Sequence, residues 1–215
     1  MLGSTLIRYF SKNEDFEVFG TARSSSSVSS LESSIREKIL FGVDADNFGS
    51  VERVLSNFLP ELVINCVGLV KQLNESSDPI VALPLNSIFP HRLAKLCAVT
   101  NTRLVHISTD CVFSGKKGMY KESDLPDAQD LYGISKRLGE LSHRNSITLR
   151  TSIIGHELNS NRSLVDWFLS QDGSVKGFKN AYFSGLPTVE LARIIKDYVI
   201  PSPHLSGLYH VSANP

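Results

Sequence analysis

The chain has 215 residues, a length that fits one domain or one domain with a small annex. Lys plus Arg and Asp plus Glu number 22 each, so no charge excess points to nucleic acid or to an anionic membrane as a partner. No run approaches the roughly 18 apolar residues of a membrane helix, and no export signal is present, so we expect a cytoplasmic protein. The three cysteines predict reduced thiols, with Cys66 and Cys97 buried inside apolar runs.

Short segments rich in β-branched or aromatic residues, each ending in small or polar residues, predict buried parallel strands. In chain order these strands cover residues 16–23, 38–44, 61–68, 102–109 and 146–154. Helical spacing of apolar residues predicts helices over 50–58 and 86–100, and the serine run 24–34 is expected to be an exposed connection. The alternation of strand and helix predicts an α/β fold with a Rossmann-like, doubly wound parallel sheet.

Beyond residue 155 the pattern is less regular. A helix is expected around residues 163–171 and another over 189–200, separated by a glycine-rich stretch and followed by a short strand at 207–212. This part of the chain predicts a small substrate region attached to the sheet. We therefore expect two domains, over residues 1–155 and 156–215.

The segment LYGISKRLGE places Tyr132 and Lys136 four residues apart. On an α-helix this spacing puts both side chains on one face. A lysine ammonium close to a phenol favours the phenolate and is expected to lower the tyrosine pKa from its ordinary value near 10. The pair therefore predicts an acid suited to proton transfer near neutral pH.

These residues stand in a wider set of motifs: HISTDCVFSG at the end of a strand, YGISKRLGE after it, then TLRTSIIG and GLPTVELAR. Together they resemble the extended short-chain dehydrogenases/reductases, in particular the branch of dTDP-4-dehydrorhamnose reductases. The resemblance covers nearly the whole chain. It implies NADPH-dependent reduction of a nucleotide-activated 4-keto-6-deoxyhexose, in deoxysugar and surface polysaccharide biosynthesis.

The resemblance also implies catalytic roles for three residues. Thr109 would polarise the substrate carbonyl, Tyr132 would protonate it, and Lys136 would assist Tyr132 and hold the nicotinamide ribose. His106, in the same strand as Thr109, is instead expected to be a buried structural histidine. No metal site is expected, because the other histidines lack companions at ligand spacing.

For the cofactor, Arg23 ends the predicted second strand without a nearby carboxylate, which favours NADPH over NADH. The expected NADP-binding domain is thus residues 1–155, and residues 156–215 form a partial substrate region. The resemblance implies cofactor contacts from Leu2, Gly3, Arg23, Asp44, Cys66, Val67, Gly68, Asn86, Tyr132 and Lys136. Asn86 resembles the helix asparagine of a proton relay.

Substrate contacts are expected from Asp110, Val112 and Ile153. Cys111 and Ile153 stand where rhamnose-pathway reductases usually carry aromatic residues, so an N-acetylated amino sugar is an alternative substrate. Two other functions stay open. One is an epimerase or dehydratase that retains NAD, and the other is a catalytically silent, nucleotide-binding regulatory subunit. A homodimer fits the resemblance, but no interface can be assigned.

The family's glycine-rich loop, G-x-x-G-x-x-G, normally follows a first strand. In this sequence only Gly3 matches that loop, and no segment corresponds to the first strand. We therefore expect a sheet without its first strand and most of the glycine loop, in a chain that is part of a longer reductase. A variant with a remodelled nucleotide site is the less favoured interpretation.

Overall fold

The fold is known from a computed structural model, which describes residues 1–213. The chain divides into two compact units. One unit contains residues 1–44, 152–201 and 212–213, and the other contains residues 45–151 and 202–211. The predicted domains, residues 1–155 for the cofactor and 156–215 for the substrate, are defined by the ligand that each would bind. This division stays a prediction.

The unit of residues 45–151 and 202–211 is built on a four-stranded parallel sheet. Its strands are β3 (Leu62–Asn65), β4 (Arg103–Thr109), β5 (Ser146–Thr151) and β8 (Gly207–His210), and their order across the sheet is β3-β4-β5-β8. Its helices are α3 (Phe48–Phe58), α4 (Pro79–Leu83), α5 (Phe89–Val99) and α6 (Leu131–Leu138). A π-helical turn, Pro84–Ile88, joins α4 to α5.

The two central strands of this sheet, β4 and β5, are formed by residues that are mostly buried. All six residues of β5 are buried, as expected for a parallel strand that is covered on both faces. In β4, Leu104 and Val105 have no exposed surface. Pairing of β4 with β5 places Thr109 opposite Thr151, so the carboxyl ends of both strands meet at one edge of the sheet. Ligands of open α/β sheets bind at this edge.

The other unit has shorter elements. They are α1 (Leu2–Phe10), β1 (Gly20–Ala22), α2 (Ser33–Arg36), β2 (Ile39–Phe41), β6 (Ile153–Ile154), α7 (Leu164–Leu169), β7 (Leu186–Pro187) and α8 (Thr188–Ile194). Strand β1 pairs with β2, and β6 pairs with β7, in both cases in parallel. Helix α1 buries Leu2, Leu6, Ile7 and Phe10, which lie on one face at helical spacing.

The predicted strands and helices are present, most of them in shortened form, and the parallel α/β class is confirmed. The expectation of one sheet is wrong within residues 1–213. The strands there form three separate sheets, because β1 and β2 hydrogen-bond only to each other and not to β3. The predicted strand 16–23 is reduced to Gly20–Ala22, since Phe16 closes a turn onto the carbonyl of Asn13.

Two sequence expectations about individual features can be compared with the structure. No helix within residues 1–213 is long and apolar enough to cross a membrane. All three cysteines are free, and Cys97 is buried as expected. The burial predicted for Cys66 is wrong, because β3 ends at Asn65 and leaves Cys66 on the exposed turn that follows.

Candidate active site

Helix α6 carries Tyr132 and Lys136 one turn apart, as their spacing predicts. The helix begins after Asp130, whose carboxylate accepts a hydrogen bond of 3.0 Å from the N–H of Gly133. The same carboxylate pairs with the ammonium of Lys71 at 3.3 Å. This capping fixes the first turn of the helix, in which Tyr132 lies.

Gly133 allows that first turn to pack against the end of β4. A Cβ atom at position 133 would overlap the carbonyl oxygen of Cys111 and would lie 2.6 Å from the Cβ of Ala128. No larger residue fits without a shift of the backbone. The glycine therefore lets the helix approach the turn that follows Thr109.

Lys136 is buried, with 6% of its surface exposed, and its Nζ donates a hydrogen bond of 2.8 Å to the carbonyl oxygen of Ile107. Burial lowers the pKa of Lys136 from 10.5 to about 8, while the negative charge of Glu140 acts in the opposite direction. At pH 7 the ammonium is therefore still charged. It points towards the end of β4, two residues before Thr109.

Tyr132 departs from the sequence-based expectation. Burial raises its pKa from 10.0 to about 12, with a further contribution from Cys111, and a hydrogen bond with the Thr109 side chain acts the other way. The predicted lowering of the tyrosine pKa by Lys136 is wrong here, because the ammonium is bonded to Ile107 and desolvation of the phenol dominates. Tyr132 is consequently a protonated phenol at neutral pH.

Thr109 lies at the last position of β4 with 7% of its surface exposed. Its hydroxyl accepts a hydrogen bond of 3.1 Å from the N–H of Cys111 and donates one of 3.2 Å to the carboxylate of Asp110. The side chain thus caps the turn after the strand and also contacts Tyr132. The structure brings Thr109, Tyr132 and Lys136 together at the carboxyl edge of the sheet.

Asn86 lies in the π-helical turn before α5 and is 1% exposed. Its Oδ1 accepts a hydrogen bond of 2.9 Å from the N–H of Leu69, and its Nδ2 donates one of 3.0 Å to the hydroxyl of Ser135. The amide therefore connects the turn after β3 to helix α6. A Cβ atom at Gly68 would lie 3.2 Å from Asn86 Oδ1 and 3.6 Å from Lys136 Nζ. The backbone of this turn thus passes close to the lysine ammonium.

The remaining residues predicted to bind cofactor fall into two groups. Cys66, Val67 and Gly68 are exposed on the turn after β3. The second group lies in the unit that contains the N-terminus: Leu2 is buried, Gly3 and Arg23 are exposed, and Asp44 is half-buried. That both groups contact one cofactor stays a prediction.

The residues predicted to bind substrate differ in accessibility. Asp110 is exposed, and Ile153 is half-buried. Val112 has no exposed surface, so a direct contact of Val112 with substrate is not supported. Its side chain is buried at the end of the short turn Asp110–Val112, which follows β4.

Sequence reasoning missed three residues beside the site. Glu140 pairs with Arg150, and both side chains are almost fully buried. A Cβ atom at Gly139 would overlap the carbonyl oxygen of Asn86, so helix α6 ends in close contact with the π-helical turn. The signal available in the sequence was the arginine inside the apolar strand segment SITLRTSII, since a charge in a buried strand requires a partner.

Similarity to known proteins decides the family. The model of the RmlD substrate binding domain matches residues 1–215. The chain belongs to this family. Its members include sugar-nucleotide reductases of the extended short-chain dehydrogenase/reductase class, as the sequence motifs indicated. Within residues 1–213, no group of three His, Cys, Asp or Glu side chains is arranged to hold a metal ion.

Two curated relatives illustrate the range of similar proteins. A probable low-salt glycan biosynthesis reductase, Agl14, of Haloferax volcanii is 34% identical over 120 residues, which is 54% of this RmlD-family chain and 40% of the relative. Methionine adenosyltransferase 2 subunit beta of Xenopus laevis is 25% identical over 77% of this chain and 53% of the relative. The chain thus spans about half the length of these relatives.

Two solved structures have the same fold. A hypothetical dTDP-4-dehydrorhamnose reductase from Sulfolobus tokodaii superposes with a TM-score of 0.80 at 27% identity, over 99% of this chain and 73% of that chain. A dTDP-4-dehydrorhamnose reductase from Bacillus anthracis str. Ames, in complex with NADP, gives a TM-score of 0.72 at 25% identity, over 83% and 67% of the two chains.

Proposed function

We propose that this protein is an NADPH-dependent reductase of a nucleotide-activated 4-keto-6-deoxyhexose, acting in deoxysugar and surface polysaccharide biosynthesis. The observation that carries the proposal is the convergence of Thr109, Tyr132 and Lys136 at the carboxyl edge of the sheet. Membership of the RmlD family supports the substrate class. An N-acetylated amino sugar remains the alternative substrate, because Cys111 gives a smaller side chain next to Thr109 than an aromatic residue would.

Each of the three side chains has a chemical task. NADPH, when bound, supplies the hydride that reduces the ketone. The negative charge that develops on the carbonyl oxygen needs hydrogen-bond donors, and we assign this task to the hydroxyls of Tyr132 and Thr109. The Thr109 proton, which Asp110 accepts in the structure, would turn to the substrate oxygen. Tyr132 has a pKa of about 12 and therefore carries the proton that the product alcohol requires. The ammonium of Lys136 provides positive charge near the end of β4, where these two hydroxyls lie.

Residues in each unit, taken separately, are suited to part of a dinucleotide. The exposed turn after β3 has a glycine, Gly68, where a Cβ atom would fill the space beside Lys136 Nζ, so a ribose can approach both the backbone and the ammonium. Arg23 is exposed at the end of β1, as required for a contact with a 2′-phosphate. These two features support NADPH as the cofactor.

Two other functions are distinguishable from the proposed one. An epimerase or dehydratase that retains NAD is expected to have a carboxylate at the end of the second strand, where this chain has Arg23. The second alternative is a regulatory subunit without catalytic activity, and one relative, methionine adenosyltransferase 2 subunit beta, is named as a subunit. A chain with this second function would bind nucleotide but would not oxidise NADPH with any keto sugar. A cytoplasmic location and a homodimer stay predictions.

The decisive experiment measures NADPH oxidation with dTDP-4-keto-6-deoxyglucose and the matching N-acetylated amino sugars. Tyr132→Phe removes the proton donor and should lower turnover by about 100-fold or more while leaving NADPH binding within about twofold. Tyr182→Phe is the matched control, because Tyr182 is 94% exposed, and it should retain full turnover. Undiminished turnover of Tyr132→Phe would show that this tyrosine is not the acid.

A further inference from the structure

A buried polar cluster lies directly beside the proposed catalytic residues. We name it the Glu140 clamp, and it consists of Ser108, Glu140, Arg150 and His210. The Glu140 carboxylate accepts two hydrogen bonds of 2.7 Å from Arg150, one from Nε and one from Nη2. It also accepts a hydrogen bond of 2.9 Å from the Ser108 hydroxyl. Arg150 Nη1 lies 3.3 Å from Nε2 of His210.

The clamp joins helix α6 to the strand that carries Thr109. The Lys136 ammonium donates to the carbonyl of Ile107, and the carboxylate of Glu140, two residues after the end of α6, accepts from the hydroxyl of Ser108. Two consecutive residues of β4, Ile107 and Ser108, are thus hydrogen-bonded to the side chains of Lys136 and Glu140. Thr109 is the next residue along the strand. The distance between Thr109 and Tyr132 therefore depends on these two attachments.

The segment after Thr109 is attached to the same cluster. The Arg150 guanidinium lies 5.0 Å from the centre of the Phe113 ring, and this ring stacks on Tyr120 at 4.2 Å. The N–H of His210 donates a hydrogen bond of 2.9 Å to the carboxylate of Glu122. The Arg150 side chain and its neighbour His210 hence hold both ends of the stretch 113–122.

Stability alone does not explain this arrangement. The side chains of Arg150 and Glu140 are 5% and 10% exposed, so both charges have lost most of their hydration. Replacement of such a buried ion pair by apolar residues of similar volume is often neutral or stabilising. A buried pair that ties two catalytic elements together has a geometric use that an apolar pair does not have.

We propose that Glu140 is a positioning residue of the proposed reductase site: it fixes α6 against the end of β4 and supplies negative charge one helical turn from Lys136. This inference rests on the proposed function. Three charged or titratable groups act on Lys136: Glu140 just after α6, Cys66 after β3 and His106 in β4. Of these groups, Glu140 and to a smaller extent Cys66 favour the charged ammonium, and burial opposes it.

Two variants and one control test the proposal. Glu140→Gln removes the charge with little change in shape. The double variant Glu140→Leu with Arg150→Met replaces the pair by apolar side chains, so neither member of the pair is left as an unpaired buried charge. Glu190→Gln is the control, since Glu190 forms a more exposed ion pair with Arg193 on α8. The measurements are kcat and KM, the unfolding midpoint, and the pH titration of the Lys136 side chain followed by NMR of 13C-labelled lysine in the ligand-free chain.

We expect both Glu140 variants to lower kcat by about tenfold or more, because small displacements of positioned groups are costly, with KM for NADPH changed by less than about threefold. The titration midpoint of Lys136 should fall by about one pH unit when the neighbouring charge is removed. Glu190→Gln should change neither quantity. If the Glu140→Gln chain fails to fold, the kcat and the Lys136 titration of the double variant test the proposal.

A double variant that unfolds at the parental midpoint and retains both the parental kcat and the parental Lys136 titration would overturn the proposal. The titration separates this outcome from a failure of the proposed function. If the parent chain oxidises no NADPH with any keto sugar, the reductase assignment is wrong. A lowered Lys136 midpoint in the double variant would then still support the clamp as the element that sets the state of this lysine.

Discussion

Lys136 donates a hydrogen bond from its ammonium to the carbonyl oxygen of Ile107 at a distance of 2.8 Å. The bond crosses from helix α6 to strand β4 and satisfies one of the three ammonium protons inside the protein. The ammonium also lies beside the turn of Gly68, where an added Cβ atom would be 3.6 Å from Nζ. A charged amine in this position is costly to bury, which makes Lys136 a destabilising residue retained at the proposed site.

This cost leads to a prediction for Lys136→Met. The pKa of Lys136 falls from 10.5 to about 8 on folding, so below pH 8 the folded chain carries the full penalty of a buried ammonium. Between pH 8 and 10.5 the unfolded chain binds more protons than the folded chain, and the free energy of unfolding of the parent should rise with pH. We expect Lys136→Met to be more stable than the parent by about 1–3 kcal/mol at pH 7, with the difference disappearing above pH 10.5.

Urea unfolding from pH 7 to 10.5 measures this difference. Lys95→Met is the matched control, because Lys95 is exposed on α5, and it should stay within about 0.5 kcal/mol of the parent. A Lys136→Met chain that is less stable than the parent at pH 7 would show that the hydrogen bond to Ile107 outweighs the burial penalty.

A second prediction concerns the contact between Gly139 and Asn86. Gly139→Ala introduces a Cβ atom that overlaps the Asn86 carbonyl oxygen, so α6 must move away from the π-helical turn. We expect a loss of about 1–3 kcal/mol in unfolding free energy together with a loss of turnover. Gly49→Ala, in helix α3, is the control, because its Cβ atom would come no closer than 3.6 Å to a neighbour. Thermal unfolding of both variants makes the comparison, and equal midpoints would contradict the packing argument.

A third prediction concerns the side chain of Asn86. Asn86→Leu has nearly the same shape but removes the acceptor for the Leu69 N–H and the donor to Ser135. Because both partners then lose a buried hydrogen bond, the variant should lose about 1–3 kcal/mol per unsatisfied group and should bind NADPH more weakly. Asn180→Leu, at an exposed position, should behave as the parent does. Nicotinamide fluorescence measures NADPH affinity, and unfolding curves measure stability. If a folded Asn86→Leu chain binds NADPH with the parental affinity, the turn after β3 is not part of the cofactor site.

The fourth prediction tests cofactor preference. Arg23→Ala should weaken NADPH binding by about tenfold and leave NADH binding unchanged, since only NADPH has the 2′-phosphate that a guanidinium holds. Arg36→Ala removes another exposed arginine, at the end of α2, and should alter neither affinity. Fluorescence titrations with both cofactors give the answer, and an equal effect of Arg23→Ala on both would rule out phosphate recognition.

The sequence allowed much of the site to be predicted, because the relevant signals are local. A run of β-branched and apolar residues that ends in polar ones located β4, and the four-residue spacing of Tyr132 and Lys136 predicted that both side chains lie on one side of a helix. The position of Thr109 at a strand end followed from the same pattern. The direction of the Tyr132 pKa did not follow, because it depends on how many atoms from distant parts of the chain exclude water from the phenol.

The sequence by itself determined the parallel α/β class, the order of its elements and the residues that reach the carboxyl edge of the sheet, since each follows from neighbours within a few positions. Only the tertiary structure decided that β1 and β2 form a sheet of their own, that Glu140 meets Arg150, and that Gly139 lies against Asn86. These contacts join residues on different elements. No periodicity along the chain predicts which residue of a distant element will contact a given buried charge or glycine. Packing selects those partners, because a buried charge or a close backbone approach is tolerated only where the folded surroundings satisfy it.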